Sequence, residues 1–326
     1  MIEMFSGAGL LSYAFTMEGF EPIQAVELCP HAADTYRRNL GPHVVQADIR
    51  NVDPVGPCDI ITAGPPCQGF STLGKRQQND PRNFLSFEVA KWAELTGASV
   101  VVIENVAAFL DSPIWERLAR RLRRLGYQVD AQVLNAVDFG VPQLRTRSFT
   151  IASKLGLPEI TPLRGGCRTV RRAIDGLGSP AAGNDHLHRA RPLSPLAEAR
   201  IRAIPPGGDK RDIMKRRPEL APRSWWNVHS EATDVWGRME LDAPANTLRT
   251  AFINPSKGRY IHPTADRMIT LREAARIHSI PDHWQFCGPD SYIARQIGNS
   301  VPPRMGRAVA RAVAALFSRQ TSRRAA

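Results

Sequence analysis

Between residues 2 and 153 the chain alternates short apolar, β-branched runs with longer segments of helical period, and few folds accommodate that rhythm. The runs at 2–5, 23–27, 44–47, 60–63, 100–105, 129–135 and 149–153 read as strands. The segments at 10–18, 31–39, 84–96 and 114–125 between them space their apolar residues as helices do. Strands that alternate with helices pair in parallel, because the chain must cross over before it can return to the same sheet edge. The expected fold class is therefore α/β: a Rossmann-like, mostly parallel sheet with helices on both faces. Ligands of such sheets bind at the carboxyl ends of the strands.

Beyond residue 165 the texture changes. Pro, Gly and Arg become frequent up to about residue 242, periodicity fades, and Trp225, Trp226 and Trp236 appear. This predicts a second, smaller domain of loops and short strands, with bounds 165–269 against a first domain of 1–164 completed by 270–326. Helical pattern resumes at 271–278 and 303–317, the latter with Pro in its first turn. Its stripe of Val309, Val313 and Leu316 is expected to pack back on the first domain. The polar, basic tail 318–326 is expected to fray. Trp225 and Trp226 suit the small domain's core better than a stacking platform. His186 and His188 lack the partner cluster a metal would need, so no metal is expected.

Composition narrows the partners. A chain of 326 residues can bury a core without staples. Its apolar stretches at 100–103 and 308–317 fall short of the ~18–20 residues that cross a bilayer. The start, Met1-Ile2-Glu3-Met4-Phe5, has no basic region leading into an apolar run. The five cysteines, Cys29, Cys58, Cys67, Cys167 and Cys287, are odd in number and form no Cys-x-x-Cys pair, which speaks against a disulfide framework or a zinc site. A reducing, cytoplasmic setting is expected. The net charge of +12 points to a polyanion, most often nucleic acid. The charge is clustered: residues 295–326 hold seven Arg and no acid, and 210–223 hold Lys210, Arg211, Lys215, Arg216, Arg217 and Arg223 against Asp212 and Glu219.

The chemistry-bearing residues fall at strand ends. Phe5-Ser6-Gly7-Ala8-Gly9-Leu10-Leu11-Ser12 is a glycine turn running into a helix, with Ser12 where a dinucleotide fingerprint would carry a third glycine. Glu27 ends the second strand, where ribose hydroxyls would lie, and Asp48 follows the third, where an adenine amino group would lie. This set says an adenosine-containing cofactor, and by itself leaves a nicotinamide dinucleotide and S-adenosylmethionine both open. Gly64-Pro65-Pro66-Cys67-Gln68-Gly69-Phe70-Ser71 follows the strand at 60–63, so Cys67 opens a loop at the ligand edge. The polar stretch 71–83 has no apolar period and reads as a lid. Glu104-Asn105-Val106 ends the next strand on that same edge. Gln143-Leu144-Arg145-Thr146-Arg147 precedes a further strand, and its arginines can hold an anion and lower a nearby thiol's pKa.

In order along the chain, Phe5–Gly9, Gly64–Ser71, Glu104-Asn105-Val106, Gln143-x-Arg145-x-Arg147, Thr270-x-Arg272-Glu273-Ala274-Ala275-Arg276 and Gln296-Ile297-Gly298-Asn299-Ser300-Val301-Pro302 resemble the motifs of the DNA (cytosine-5)-methyltransferase family. The likeness spans almost the whole chain and leaves out only about 165–236, where members of that family diverge. Glu3 stands where Asp is usual, and Leu10 replaces a common second glycine. The related transfer-RNA branch carries a Cys-Phe-Thr signature, which the nearest region, Trp284-Gln285-Phe286-Cys287-Gly288, does not.

The resemblance implies methyl transfer from S-adenosylmethionine to carbon 5 of a cytosine swung out of double-stranded DNA, within a specific sequence. It assigns Cys67 the attack on carbon 6, Glu104 the grip on ring N3 and the amino group, and Arg145 and Arg147 the steadying of base and phosphate. For the cofactor it implies Phe5, Gly7, Ala8, Leu10, Glu27, Asp48, Ile49, Pro66 and Leu85, with Asn299 and Ser300 closing the pocket from the C-terminal side. Residues 71–82 would close over the base from the minor groove, and the small domain would read the major groove for target recognition. The DNA contacts expected are Ser71, Lys75, Arg76, Arg82, Gln143, Lys215, Arg216 and Arg217. A monomer is expected, with any cognate restriction endonuclease acting independently.

Overall fold

The computed structural model describes residues 1–66, 81–180, 184–226 and 234–325. Cys67, Ser71, Lys75 and Arg76, and most of the expected lid, lie outside the described residues.

The elements are β1 (Ile2–Met4), α1 (Leu10–Thr16), β2 (Gln24–Glu27), α2 (Pro30–Leu40), β3 (Val44–Gln46), β4 (Ile60–Ala63), α3 (Ser86–Thr96), β5 (Val100–Asn105), α4 (Pro113–Arg124), β6 (Gln128–Asn135), β7 (Gln143–Leu144), β8 (Thr146–Ser153), α5 (Val170–Ile174), α6 (Pro195–Arg202), α7 (Lys210–Arg216), α8 (Arg223–Trp226), β9 (Ala245–Asn246), α9 (Leu271–Ile277), α10 (Asp290–Asn299) and α11 (Pro303–Ala325), with short 3-10 turns between some of them. Seven strands form one sheet in the order β3-β2-β1-β4-β5-β8-β6. The first five run parallel, and β8 is antiparallel to both neighbours. The exception has a physical cause. Only about ten residues join β6 to β8, too few for a crossover helix, so the chain turns back beside itself.

Central strands β4 and β5 are buried along their whole length, as their unbroken Val/Ile runs require of strands covered on both faces. On one face α3 and α4 cover β1, β4 and β5 through Val89, Trp92, Leu118 and Leu122. On the other, α1 and α11 meet Val100, Val102, Phe149 and Ile151 through Leu11, Phe15, Val309, Val313 and Leu316. The stripe read from the sequence for the last helix therefore packs where expected. That helix continues to Ala325 instead of fraying at 318, because after Gly306 nothing in it is a glycine or proline that would stop it.

The second unit differs from the expected loops and short strands. Among the described residues it is built on short helices, α5 to α8, the first three with side-chain caps, and one two-residue strand, β9, which pairs in parallel with β7. Ser194 caps α6, and an Asp209–Asp212 capping box starts α7. Buried Arg238 fills the role a sheet would otherwise play: its guanidinium donates to the carbonyls of Ile201, Ile204, His262 and Ala265 and to Asp266. Core residues Val170, Ile201, Ile213 and Trp236 pack with Leu271, Ala274, Ile277, Ile293 and Ile297. Helices α9 and α10 thus share the small unit's core, and α11 is the C-terminal element that packs on the sheet. Trp225 is partly buried and packs against this core, its ring 5.9 Å from that of Trp236 with Arg200 over both, whereas Trp226, expected in the core as well, is exposed.

Candidate active site

The turn after β1 is held in an unusual conformation. Phe5 has φ +57°, Gly7 +54° and Gly9 +84°, a left-handed backbone that glycine adopts freely and Phe5 only under strain. Each glycine has its own reason. A Cβ at Gly9 would stand 2.7 Å from Leu40 Cδ1 and Tyr36 Cδ2, so α2 needs that position bare. At Gly7 nothing lies within 4 Å of where a Cβ would be, leaving the turn open above it.

Glu27 faces this turn. Its Oε2 accepts the Gly7 N–H at 2.7 Å and its Oε1 the Cys29 N–H at 2.8 Å. Burial raises its carboxyl above the ordinary range, and the amides of Cys29, Gly7 and Leu28 oppose that rise. Beneath the turn, Ser12 Oγ donates to the wholly buried Glu3, and Tyr36 Oη donates to Ser12 Oγ at 3.1 Å. Burial pushes the Glu3 carboxyl up to about 8. Ala8, Leu10 and Ile49 are buried among apolar neighbours. What they can offer a ligand is main chain. Asp48 is engaged by Arg50, whose N, Nε and Nη2 all donate to it, and these bonds hold its carboxyl down to about 2. Phe5, Pro66, Leu85 and Ser300 are partly exposed, and Asn299 is exposed. An open glycine turn, a rim carboxylate and exposed polar groups at 299–300 suit the adenosine end of S-adenosylmethionine.

The second half of the site stands at the end of β5. Glu104 is buried, and its Oε1 lies 3.0 Å from Arg147 Nε in an ion pair but accepts no well-aligned hydrogen bond among the described residues. Burial raises the Glu104 carboxyl above its ordinary value, while Arg147 and then Arg145 pull it down. Its Oε2 is 3.8 Å from the point a Cβ would occupy on Gly64, the first residue of the Gly-Pro-Pro-Cys segment. Asn105 Nδ2 donates to the Pro65 carbonyl at 3.3 Å and fastens the start of that segment to β5. Ser148 Oγ, opposite Asn105 in the β5–β8 register, donates to the carbonyls of Asn105 and Val106. The antiparallel strand is thus what brings Arg147 beside Glu104.

Two sequence-derived roles need correction. Gln143 is fully buried: its Nε2 faces His278 Nδ1 at 3.0 Å and its Oε1 accepts the Leu248 N–H at 3.0 Å, so it has no surface to give DNA. Arg145 is also fully buried and donates to the carbonyls of Leu248, Gly298 and Ser300. These bonds tie it to Leu248 and to the 298–300 segment, while Arg147 forms the ion pair with Glu104 and Arg145 adds a weaker pull on the same carboxyl. No sequence feature singles out His278, which links Gln143 to Ser300; a single His inside a helical pattern carries no signal of its own. Arg82, Lys215, Arg216 and Arg217 are exposed, the last paired with Glu219. His188 is buried and bonded to Thr270 Oγ1 and the Gly178 carbonyl, and no metal-like cluster occurs among the described residues. None of the described helices is long and apolar enough to cross a membrane.

The sequence profile of the C-5 cytosine-specific DNA methylases matches residues 1–166 and 210–315. The type II methyltransferase M1.HphI of Haemophilus parahaemolyticus is 34% identical over 96% of this chain and 86% of its own. The type II methylase M.HgiDII of Herpetosiphon aurantiacus is 30% identical over 96% of this chain and 94% of its own. Among solved structures, an E. coli prophage-encoded protein described as a candidate DNA modification methyltransferase superposes with a TM-score of 0.75 at 24% identity, covering 97% of this chain and 99% of that one. An open glycine turn, a buried glutamate against an arginine and a profile matching most of the chain lead to one conclusion: the protein belongs to the C-5 cytosine-specific DNA methylase family and is a DNA cytosine-C5 methyltransferase.

Proposed function

We infer that this enzyme methylates a cytosine displaced from double-stranded DNA by way of a covalent bond between Cys67 and carbon 6, with S-adenosylmethionine as methyl donor. Carbon 5 of cytosine is a weak nucleophile, and covalent addition at carbon 6 divides a difficult step into two easier ones. When bound, S-adenosylmethionine supplies an electrophilic methyl group on a sulfonium. Cys67 as thiolate forms the bond to carbon 6, and the C5–C6 π electrons then become available at carbon 5. Glu104, raised by burial, can share a proton with ring N3 as charge develops there. Arg147 balances the glutamate and orders its oxygens. Loss of the carbon 5 proton after methylation returns an electron pair to the ring and expels Cys67 as thiolate.

The residues proposed to hold the donor are the main chain of the 5–10 turn, Glu27 for ribose hydroxyls, and Pro66, Leu85, Asn299 and Ser300 around it, with Asp48 available once Arg50 yields. The exposed Arg82, Lys215, Arg216 and Arg217 are proposed to touch DNA. A base cannot meet Cys67 inside a duplex, and swinging it out costs a few kcal/mol. The small unit would read the major groove on the recognition side. The related type II enzymes support a place in a restriction–modification system, beside an endonuclease acting on its own.

The observation that carries this reading is the buried Glu104–Arg147 pair beside Gly64. Expression in a methylation-free host followed by bisulfite sequencing tests it. A single short motif carrying 5-methylcytosine is expected, and an unmodified genome from a well-folded, donor-binding protein contradicts it.

A further inference from the structure

His278, immediately after α9, is fully buried, yet both of its ring nitrogens are engaged. Gln143 Nε2 lies 3.0 Å from Nδ1, and the Ser300 carbonyl lies 3.0 Å from Nε2. The neighbours decide the tautomer. Gln143 spends its amide oxygen on the Leu248 N–H at 3.0 Å, so its NH2 group faces the imidazole and Nδ1 must accept. A carbonyl can only accept, so Nε2 must carry the proton. The Ser300 carbonyl takes a second bond from Arg145 Nη2 at 2.9 Å, and both its lone pairs are then used. Arg145 Nη2 also reaches the Gly298 carbonyl at 2.8 Å, and a Cβ on Gly298 would come within 2.7 Å of the 249–250 main chain.

We propose that neutral His278 is a positioning residue for methyl transfer: it ties Ser300, at the donor pocket, to Gln143, on the strand that leads into Arg145 and Arg147. The two halves of the site come from distant parts of the chain, and this imidazole joins them beside the direct bonds from Arg145 to the Gly298 and Ser300 carbonyls. A second proton on Nδ1 would set N–H against N–H. The charged groups facing the ring are Arg145 and Arg147; they and burial oppose that proton, and only the Ser300 carbonyl favours it.

The proposal rests on the assignment of Ser300 to the donor pocket, and its test reads donor binding and protonation apart from turnover. Nitrogen-15 spectra of the wild-type imidazole, assigned by difference with His278→Gln, are expected to show one protonated and one bare ring nitrogen, unchanged from neutral pH down through the ordinary histidine range near 6.5. An imidazolium at neutral pH, or titration near 6.5, overturns the proposal. Equilibrium binding of S-adenosylmethionine is expected to weaken roughly 10-fold in His278→Ala, about what one lost buried hydrogen bond is worth. In His278→Gln it is expected to recover, because that amide can accept from Gln143 and donate to Ser300. Equal affinity in all three proteins, or no recovery in His278→Gln, overturns it. Should His278→Ala not fold, the wild-type spectra and His278→Gln still decide. A protein that passes these tests but methylates no DNA would contradict the proposed function and leave this joint standing.

Discussion

Arg147 Nε lies 3.0 Å from Glu104 Oε1, and both side chains are largely withdrawn from water. The arginine favours and directs the charged carboxylate, while burial, the larger effect, raises its pKa and readies it to share a proton with a ligand. Glu104→Gln removes the acid without changing shape. The variant is expected to bind DNA normally and to lose on the order of 10²–10³ in turnover, as befits a group that exchanges a proton with the reacting ring. Single-turnover methylation and a gel-shift titration check the two halves; near-normal turnover contradicts the assigned role.

Arg145 makes a different prediction. It donates to three carbonyls in the interior, so its removal leaves buried acceptors empty. Arg145→Ala is expected to cost about 3 kcal/mol or more of stability. Arg145→Lys is expected to restore little, since an ammonium cannot reproduce the planar fork. Denaturant unfolding measures both, and a loss below ~0.5 kcal/mol would return Arg145 to the surface chemistry of the substrate.

Gly9→Ala tests the donor turn. The position combines φ +84° with a Cβ site 2.7 Å from Leu40 and Tyr36. A destabilisation of about 1–3 kcal/mol is expected from overpacking together with strain. Gly7→Ala, with open space around it, should cost backbone strain alone and show its effect mainly as weaker S-adenosylmethionine binding.

Stability should fall on both sides of neutrality, for opposite reasons. Burial lowers His262 to about 4 and His278 well below its ordinary value. Both bind protons more readily when unfolded, so the stability they contribute is present above ~6.5 and lost as pH falls below it. Glu3 is raised to about 8. It holds its proton in the fold but not in the unfolded chain between ~4.5 and 8, so stability is lost as pH rises across that span, by at most ~1.4 kcal/mol per pH unit. Glu3→Gln should flatten the alkaline slope in melting experiments from pH 6 to 9; an unchanged slope would show that Glu3 is ionised in the fold.

The centre of the sheet was legible because its strands are Val/Ile-rich runs, and 60–63 and 100–105 read directly as the strands found there. Glu104 was legible for the same reason: a lone carboxylate ending a Val/Ile run has nowhere to go but the ligand edge. Gln143 and Arg145 were misread because a polar motif looks the same whether it faces DNA or a buried carbonyl. Their burial depends on α9 and the segment at 298–300, more than 100 residues away. Helix α10 was not expected, since Asp290 follows a proline and Gly298 interrupts its end; its identity rests on Ile293 and Ile297 packing into the small unit. The sequence of that unit reads as loops and short strands because its order comes from caps and from Arg238, which leave no period.

The decisive measurement is covalent trapping. With S-adenosylmethionine and a duplex carrying 5-fluorocytosine at the methylated position, carbon 5 has no proton to lose, and the enzyme should stay bonded to its substrate. Peptide mass spectrometry is expected to find the nucleotide on Cys67, and Cys67→Ala should give no adduct. A wild-type protein that binds donor and DNA yet forms no adduct, or forms it on Cys29, Cys58, Cys167 or Cys287, would contradict the account.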